Sequence, residues 1–437
     1  MKRDTLGLPK VAYGRGSYVF DEAGNRYIDG SGGPAVFCLG HAHPEVNEAI
    51  RVQLGRIAHG YRFTFTSDPL ERLVEIIQQQ AGPGFEHAVF VSSGSEATES
   101  GLKIALQHFW ARGEASRNRF IARDRSYHGN TLGALAVSGF ASRREPFEQA
   151  LRETAFVSAA NAYRKPAGIS VEDYVQQLAD ELEQTIVELG AQNVAGFLFE
   201  PVVGAAGGVV PAPAGYAKKV RDICDRHGIL LIADEVMCGA GRCGTWRALE
   251  HDGVVPDIMM LAKGLGGGYV PLGATMFSAA VGEPIHANGG SVNTGHTFTG
   301  HTLACAAAVK VQEIIERDRL VERVRTRGHS FISELRDRLA DTDAVGDIRG
   351  RGFFVGVELV KDRGTRTPFP ARAELRERIR RHTMQEGLIC YPVGGNVDGR
   401  SGDVAILAPP YNASDKELDE IAGKFERGLR RALADVR

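Results

Sequence analysis

This chain of 437 residues has few cysteines, a small net charge and no long apolar runs. The six cysteines are scattered and form no CxxC pair, which in a chain of this length is typical of reduced thiols and predicts a cytoplasmic protein. The formal net charge of -2 gives no reason to expect nucleic acid or an anionic membrane as a partner. No apolar stretch reaches the length of a membrane span, and the start, MKRDTLGLPK, lacks the hydrophobic region of a signal peptide. We therefore expect a globular protein with one large and at least one smaller domain.

The middle of the chain alternates short apolar runs with helical periodicity. Between about residues 65 and 320, this pattern predicts strands at 87–92, 119–123, 195–202, 228–236, 257–263 and 272–278, and helices at 69–81, 95–113, 171–190 and 214–228. Nearly continuous runs of Val, Ile and Leu are produced by a parallel sheet that helices cover on both faces. The pattern therefore predicts an α/β fold.

Both ends of the chain have a different pattern of predicted helices and strands from the middle. Residues 17–30 alternate large and polar side chains about a turn and predict a hairpin. Beyond residue 320 the sequence predicts a charged helix at 323–340, a hairpin at 346–360, a helix at 371–386, a strand at 403–408 and a final helix. Mixed short elements of this kind indicate a compact α+β unit.

Two apolar runs each end on a single charged residue and then give way to glycine. GILLIADEVMCGAGRCGTW (228–246) carries Asp234, and DIMMLAKGLGGGYVPLGA (257–274) carries Lys263. Desolvation depresses the pKa of a lysine and makes its amine nucleophilic. A lysine that forms a Schiff base with an aldehyde cofactor, and a carboxylate that keeps the pyridine nitrogen of this cofactor protonated, together indicate pyridoxal 5'-phosphate. The alternative for Asp234 is an ordinary aspartate that caps the loop after a strand.

Two further segments supply the other parts of such a site. In SSGSEATESGLKIA, Gly94 and Ser95 precede a predicted helix, where backbone N–H groups and the helix dipole favour an anion such as phosphate. A plain helix cap by Ser95 explains this segment equally well. Tyr127, in RSYHGNTLGA, is a candidate to lie over the cofactor ring, although a Tyr–His pair with His128 is more often packing. Val236, two residues past Asp234 on the same side of the strand, would cover the other face of the ring.

Three glycine and histidine patterns are weaker signals. Gly239, Gly241 and Gly244 form a GxGxxG, but a dinucleotide fold needs a long helix directly after it, and residues 245–252 allow two turns at most. In KGLGGG the lysine precedes the glycines, which reverses the P-loop order. His41 and His43 have no third ligand, so we expect no metal site, and Pro44 suits the start of a helix.

Six motifs, in this order, resemble the class III aminotransferases, which are pyridoxal-phosphate enzymes of fold type I. They are SGSEATE, YHGNTLGA, FEPVVG, ADEVMCGAGRCGTW, LAKGLGGGYVPLGA and HTFTGHTLACAAA. The resemblance runs from about Gly16 to the C-terminal helix. It implies a large domain at 65–320 with a mostly parallel seven-stranded sheet, and a smaller α+β domain formed by both termini, 1–64 and 321–437. It also implies a homodimer with each active site at the subunit interface.

The resemblance also implies roles for individual residues. The cofactor-binding set is Gly94, Ser95, Tyr127, His128, Glu200, Asp234, Val236, Lys263 and Thr297. In this set Lys263 and Asp234 are catalytic, and Thr297 reaches the phosphate of the neighbouring subunit. Glu200 is either the partner of a substrate-binding arginine or part of the hydrogen-bond network near the ring. The sequence departs from many relatives at Met237 and Thr302.

The substrate site is expected in looser segments. YPVGGNVDGRSGD resembles the loop that carries a mobile arginine in amine:pyruvate members, which makes Arg400 the first candidate to clamp a carboxylate and Arg62 the second. The candidate pocket walls are Val36, Phe37, Tyr61 and Phe298. The loop favours the amine:pyruvate or ω-amino-acid branch and does not select a donor.

The expected reaction is a ping-pong transfer of an amino group from an amine or ω-amino acid to a keto acid such as pyruvate or 2-oxoglutarate. Relatives of this fold also catalyse racemisation, amino-group migration and decarboxylation, so these reactions stay as alternatives. The rivals from other classes are a nicotinamide-dependent dehydrogenase built on the GxGxxG and a binding module without activity.

Overall fold

The computed structural model describes residues 8–288 and 290–436. Its strands are β1 (Val11–Arg15), β2 (Tyr18–Asp21), β3 (Arg26–Asp29), β4 (His87–Val91), β5 (Arg119–Arg123), β6 (Ala155–Val157), β7 (Val194–Phe199), β8 (Val202–Val203), β9 (Val210–Pro211), β10 (Leu230–Asp234), β11 (Ile258–Leu261), β12 (Gly273–Phe277), β13 (Val345–Arg351), β14 (Phe354–Leu359), β15 (Leu388–Ile389), β16 (Tyr391–Gly394) and β17 (Asp403–Leu407). Its helices are α1 (Gly32–Ala35), α2 (Pro44–Leu54), α3 (Asp68–Ala81), α4 (Gly94–Ala111), α5 (Leu132–Ala136), α6 (Ala141–Arg144), α7 (Val171–Leu189), α8 (Tyr216–His227), α9 (Ala279–Ala287), α10 (Thr302–Arg317), α11 (Leu320–Arg338), α12 (Leu375–Gln385) and α13 (Asp415–Ala434).

The largest sheet has seven strands in the order β4-β12-β11-β10-β7-β5-β6. Every neighbouring pair is parallel except the two that involve β12, which runs antiparallel to both β11 and β4. The predicted α/β fold with a mostly parallel seven-stranded sheet is therefore confirmed. Six of its strands were predicted, and β6 was missed because three residues are too few to produce a periodic signal.

Helices cover both faces of this sheet. The side chains of α7 and α8 pack with β7 and β10 in one buried cluster, and those of α4 and α9 pack against the opposite face. All residues of β10 and β11 are buried, so a charged side chain is tolerated only where a strand ends. Because β10 and β11 are parallel, with Asp234 opposite Met260, their carboxyl ends meet at the same edge of the sheet. This pairing brings Asp234 and Lys263 together.

Two four-stranded sheets lie outside the large sheet. In the first, the hairpin β2–β3 continues into β15 through a parallel pair between Ile28 and Leu388, so both ends of the chain share one sheet. The second has the order β13-β14-β17-β16 and is antiparallel. Side chains of α11, α12 and α13 pack on it in one buried cluster. The domain boundaries given above stay a prediction.

A buried arginine of β13 joins the second small sheet to the turn of the hairpin β8–β9. Arg349 donates to the carbonyl oxygens of Gly207, Gly208 and Val209 at 3.1, 2.9 and 2.9 Å. The same guanidinium pairs with Glu358, whose side chain is fully buried. Because a buried charge is stable only when it is paired and hydrogen-bonded, this cluster holds the hairpin in place, and the hairpin borders the cavity described below.

None of the helices in the described ranges combines the length and apolar character needed to cross a bilayer.

Candidate active site

A cavity of about 390 Å³ lies where the carboxyl ends of β10 and β11 meet the first turn of α4. Its size falls in the range of small-molecule sites. Eight of the nine residues predicted to bind the cofactor line it, namely Gly94, Ser95, Tyr127, His128, Glu200, Asp234, Val236 and Lys263. The elements that carry these residues are far apart in the chain, so the fold alone brings them together.

Asp234 is the last residue of β10 and is buried. Its Oδ2 lies 2.7 Å from Nδ1 of His128, and its Oδ1 accepts a hydrogen bond from the backbone N–H of Val236 at 2.9 Å. His128 is itself held in place, because its backbone N–H donates a hydrogen bond to Ser138 Oγ at 2.8 Å. Its buried Nε2 has no hydrogen-bond partner within the described part of the chain. Asp234 is therefore held in one orientation at the cavity wall, with His128 behind it.

Glu200, just after β7, accepts two backbone hydrogen bonds. Its Oε1 accepts from the N–H of Tyr127 at 2.9 Å and its Oε2 from the N–H of Gly204 at 2.7 Å. Burial raises the pKa of Glu200, the nearby charge of Asp234 raises it further, and His128 opposes the rise. The Glu200 side chain thus fixes the loop of Tyr127 and the turn that follows β8, beside the cavity.

Lys263 follows β11 by two residues and has a φ of +40°, which is unusual for a residue other than glycine. Lys263 is half-buried, and it lines the cavity. Burial lowers the pKa of Lys263, while the carboxylates of Asp234 and Glu200 partly counteract this shift. A larger fraction of the amine is therefore neutral and nucleophilic than for a lysine at the surface. Strained backbone of this kind is concentrated at functional sites.

The first turn of α4 faces the same cavity. The helix cap is Ser93, whose Oγ accepts from the N–H of Glu96 at 3.2 Å, so the alternative of a cap by Ser95 was wrong. Ser95 Oγ instead accepts from the N–H of Asn130 at 2.9 Å. Gly94 and Ser95 occupy the first helical positions, where N–H groups have no partner within the helix. This end of α4 offers donors and a positive dipole end to an anion.

The residues predicted for substrate binding are not brought together within one chain. Val36 lines the cavity, whereas Phe37 lies against His41 with ring centroids 4.3 Å apart. Tyr61, Phe298 and Thr297 are exposed, as is Arg62. Arg400 pairs with Glu145 at 3.3 Å and lines a separate cavity. The substrate roles of these residues, and the role of Thr297, stay predictions.

Several side chains at the cavity were missed from the sequence, and three of them carry an aromatic ring or a charge. Phe140, Arg143 and Tyr391 line it together with the predicted residues. Phe140 and Arg143 follow Tyr127 by 13 and 16 residues, and Tyr391 begins β16 in the second small sheet. The double arginine in FASRRE was the available signal, but nothing in the sequence indicates which of the two arginines faces a cavity.

The described residues fit pyridoxal phosphate. The α4 N-terminus suits its phosphate, Asp234 suits its pyridine nitrogen, and the amine of Lys263 suits its aldehyde. A Cβ at Gly94 would lie 2.9 Å from Val236 Cγ1, so a side chain at this position would occupy the space between α4 and the segment that follows β10. No group of three or more His, Cys, Asp or Glu with metal-binding geometry occurs in residues 8–288 and 290–436.

This fold and site define a pyridoxal-phosphate enzyme of fold type I, and comparisons with known proteins identify the family. The family model described as "Aminotransferase class-III" matches residues 4–429. The uncharacterized aminotransferase YodT of Bacillus subtilis (strain 168) is 38% identical over 417 residues, which cover 95% of this chain and 94% of the relative. The chain belongs to the class III aminotransferases and is a pyridoxal-phosphate-dependent enzyme that transfers amino groups.

Solved structures agree with this assignment. The (S)-enantioselective ω-transaminase from Thermomicrobium roseum matches with a TM-score of 0.89 and 34% identity, over 99% of this chain and 93% of the other. The ω-transaminase from Pseudomonas jessenii, in complex with PMP, matches with a TM-score of 0.90 and 31% identity, over 99% of this chain and 93% of the other.

Gly94→Ala is expected to weaken cofactor binding. The added Cβ would meet Val236 Cγ1 at 2.9 Å, and overpacking of this kind costs about 1–3 kcal/mol, which corresponds to a loss of about 5- to 150-fold in affinity. Titration of the apoenzyme with pyridoxal phosphate, followed by absorbance, measures this loss. Gly364→Ala is the control, because only Asp362 Oδ1 lies near its Cβ, at 3.5 Å. Equal affinities for both variants would refute the close approach of helix and strand.

Proposed function

We propose that this aminotransferase takes its amino group from an amine or ω-amino acid and gives it to a keto acid such as pyruvate or 2-oxoglutarate, in a ping-pong cycle. The observation that carries the proposal is the convergence of Lys263 and Asp234 on one cavity at the ends of the paired strands β10 and β11. Amino-group transfer itself follows from the family.

We propose the following roles for the residues at the cavity. The N–H groups of Gly94 and Ser95 hold the phosphate, and Tyr127 and Val236 cover the two faces of the ring. The carboxylate of Asp234 holds the proton of the pyridine nitrogen, and the contact with His128 at 2.7 Å keeps this carboxylate oriented. When bound, the cofactor supplies an electron sink for the carbon that loses its proton.

Lys263 is the proposed proton carrier. Burial favours the neutral form of Nζ, so this atom can accept a proton from the substrate carbon at neutral pH and return it in the second half of the transfer. Asp234 and Glu200 oppose complete loss of the ammonium form. A general base with a pKa shifted toward the working pH serves both directions of the transfer.

We also propose a cytoplasmic homodimer with shared active sites. Tyr61, Phe63, Phe65 and Phe298 are 49%, 70%, 67% and 56% exposed. The rings of Tyr61 and Phe63 lie 5.4 Å apart, and the Phe63 ring approaches Gly295, two residues before Thr297. Exposed aromatic patches mark interfaces, and this patch includes the segment of Thr297. Light scattering during size exclusion would measure a mass of two chains, and a monomeric enzyme at full activity would refute the shared site.

The test of the proposed reaction is a panel of amine donors offered with pyruvate and with 2-oxoglutarate. Monoamines, diamines, ω-amino acids and α-amino acids are compared by formation of the carbonyl product. Borohydride reduction, followed by mass spectrometry, is expected to fix a cofactor-sized mass on Lys263, which no nicotinamide enzyme would show. Failure of every donor together with racemisation, aminomutation or decarboxylation of an amino acid would refute the proposal in favour of those alternatives.

A further inference from the structure

Two adjacent arginines at the end of α6 have different environments. Arg144 donates to the carbonyl oxygens of Leu135, Ala136 and Ser138 and also pairs with Glu148 at 3.0 Å. Arg144 is therefore satisfied by its own neighbourhood and anchors the short helix α6. Arg143, one residue earlier, is exposed and lines the cavity itself. In the part of the chain that the structure describes, Arg143 has no carboxylate within 4.0 Å, and its guanidinium makes no hydrogen bond.

Aromatic rings hold the guanidinium of Arg143 at the cavity. Its Cζ lies 5.2 Å from the centre of the Tyr127 ring and 5.4 Å from that of Phe140, distances at which a cation is attracted to a ring face. Tyr391 lines the same cavity, and the charge of Arg143 opposes the rise that burial causes in the pKa of Tyr391. A cation–ring contact of this kind does not use the N–H groups of the guanidinium as hydrogen-bond donors, so they remain available to an acceptor.

The other arginines that were candidates for carboxylate binding are placed differently. Arg400 lines a different cavity, where it pairs with Glu145 at 3.3 Å. Arg62 lines two outer cavities and does not line the one that contains Lys263. Of these three arginines, Arg143 alone lines the cavity of Lys263.

We propose that Arg143 binds the carboxylate of the keto acid acceptor and is a specificity-determining residue of this enzyme. The inference rests on the proposed function, because it requires an acceptor with a carboxylate beside its carbonyl group. The two oxygens of a carboxylate match two parallel N–H groups of a guanidinium. An acceptor held in this way has its carbonyl carbon directed into the cavity of Lys263. An amine donor without a carboxylate gains nothing from Arg143.

The experiment compares acceptors with and without a carboxylate in the holoenzyme. Arg143→Gln is expected to lower kcat/KM for pyruvate and 2-oxoglutarate by about 10- to 100-fold, mostly through KM, because the charge-assisted contact to the carboxylate is lost. With butanal, an acceptor without a carboxylate, kcat/KM should stay within about twofold, since the lost contact involves only a carboxylate. Arg143→Lys keeps the charge and should recover part of the loss for the keto acids. Arg152→Gln, which removes another exposed arginine, is the control.

Three outcomes would overturn the inference. An equal fall in kcat/KM for keto acids and butanal would show that Arg143 has a structural role, which is to hold the rings of Tyr127 and Phe140 in place. Unchanged keto acid kinetics in Arg143→Gln, with a large loss in Arg400→Gln, would assign the carboxylate to Arg400. If the wild-type enzyme transfers no amino group to a keto acid, the proposed function fails, and binding of 2-oxoglutarate measured by thermal shift still tests Arg143. In that case equal binding by wild type and Arg143→Gln refutes the inference.

Discussion

Lys263→Ala is expected to abolish amino transfer, with a fall in kcat of about 10⁴-fold or more, because it removes both the amine that bonds the cofactor and the proposed proton carrier. Lys263→Arg should be equally inactive, since a guanidinium keeps the positive charge but is neither a nucleophile nor a base at neutral pH. The fold should survive both changes. Burial disfavours the charged form of the Lys263 amine, so Lys263→Ala removes no group on which folding depends. Steady-state assays with a saturating donor and pyruvate, together with thermal midpoints, measure both expectations.

A lysine at the surface provides the control for this result. Lys361 is exposed and lies just after β14, so Lys361→Ala should retain wild-type kcat and the same thermal midpoint. Activity of Lys263→Ala at even one per cent of wild type would contradict the assignment. It would require another amine to carry the proton.

Asp234→Asn is expected to lower kcat by about 10²- to 10³-fold, the range found when one oriented electrostatic group is removed from an active site. Asparagine has the same shape and can still accept from Val236 N–H, so the loss reflects the missing charge. The same substitution removes a negative charge that raises the pKa of Lys263. The ammonium form of Lys263 is then less favoured, and its pKa should fall further below the ordinary value.

Amine labelling measures the second effect without catalysis. The rate at which an acylating reagent modifies Lys263 in the apoenzyme, followed by mass spectrometry across a pH series, should rise at lower pH in Asp234→Asn than in wild type. Asp222→Asn, at an exposed position of α8, is the control for a general change of charge. A labelling curve that moves to higher pH, or a kcat equal to that of wild type, would contradict the role of Asp234.

Long apolar strands and their ends were predictable from the sequence. β10 and β11 are fully buried, so their residues are continuously apolar and their charged ends stand out. The same signal was too weak for β6, which has three residues. The helices α9 and α10 were not predicted. In α9, Pro284 interrupts the helical pattern, and α10 begins with the small residues of TLACAAA, which carry little amphipathic contrast.

Contacts between distant loops were not predictable. His128 and Asp234 are 106 residues apart, and their pairing follows from how the segment after β5 crosses the end of β10. The cap on α4 is Ser93 and not Ser95, a choice that backbone geometry makes among neighbouring serines. Roles assigned to Thr297 and to Arg400 depend on a second subunit or on loop packing, so they stay predictions.

The sequence by itself determined the cofactor chemistry, because a buried strand tolerates a charge only at its end, and a carboxylate and an amine at two such ends leave few chemical uses. The tertiary structure decided which other side chains join them. Arg143 and Arg144 are adjacent and chemically identical in the sequence, yet one lines the cavity and the other anchors a helix. That difference arises from the path of a four-residue helix across the rim of the cavity, and such a path is set by packing between distant segments, which local sequence does not encode.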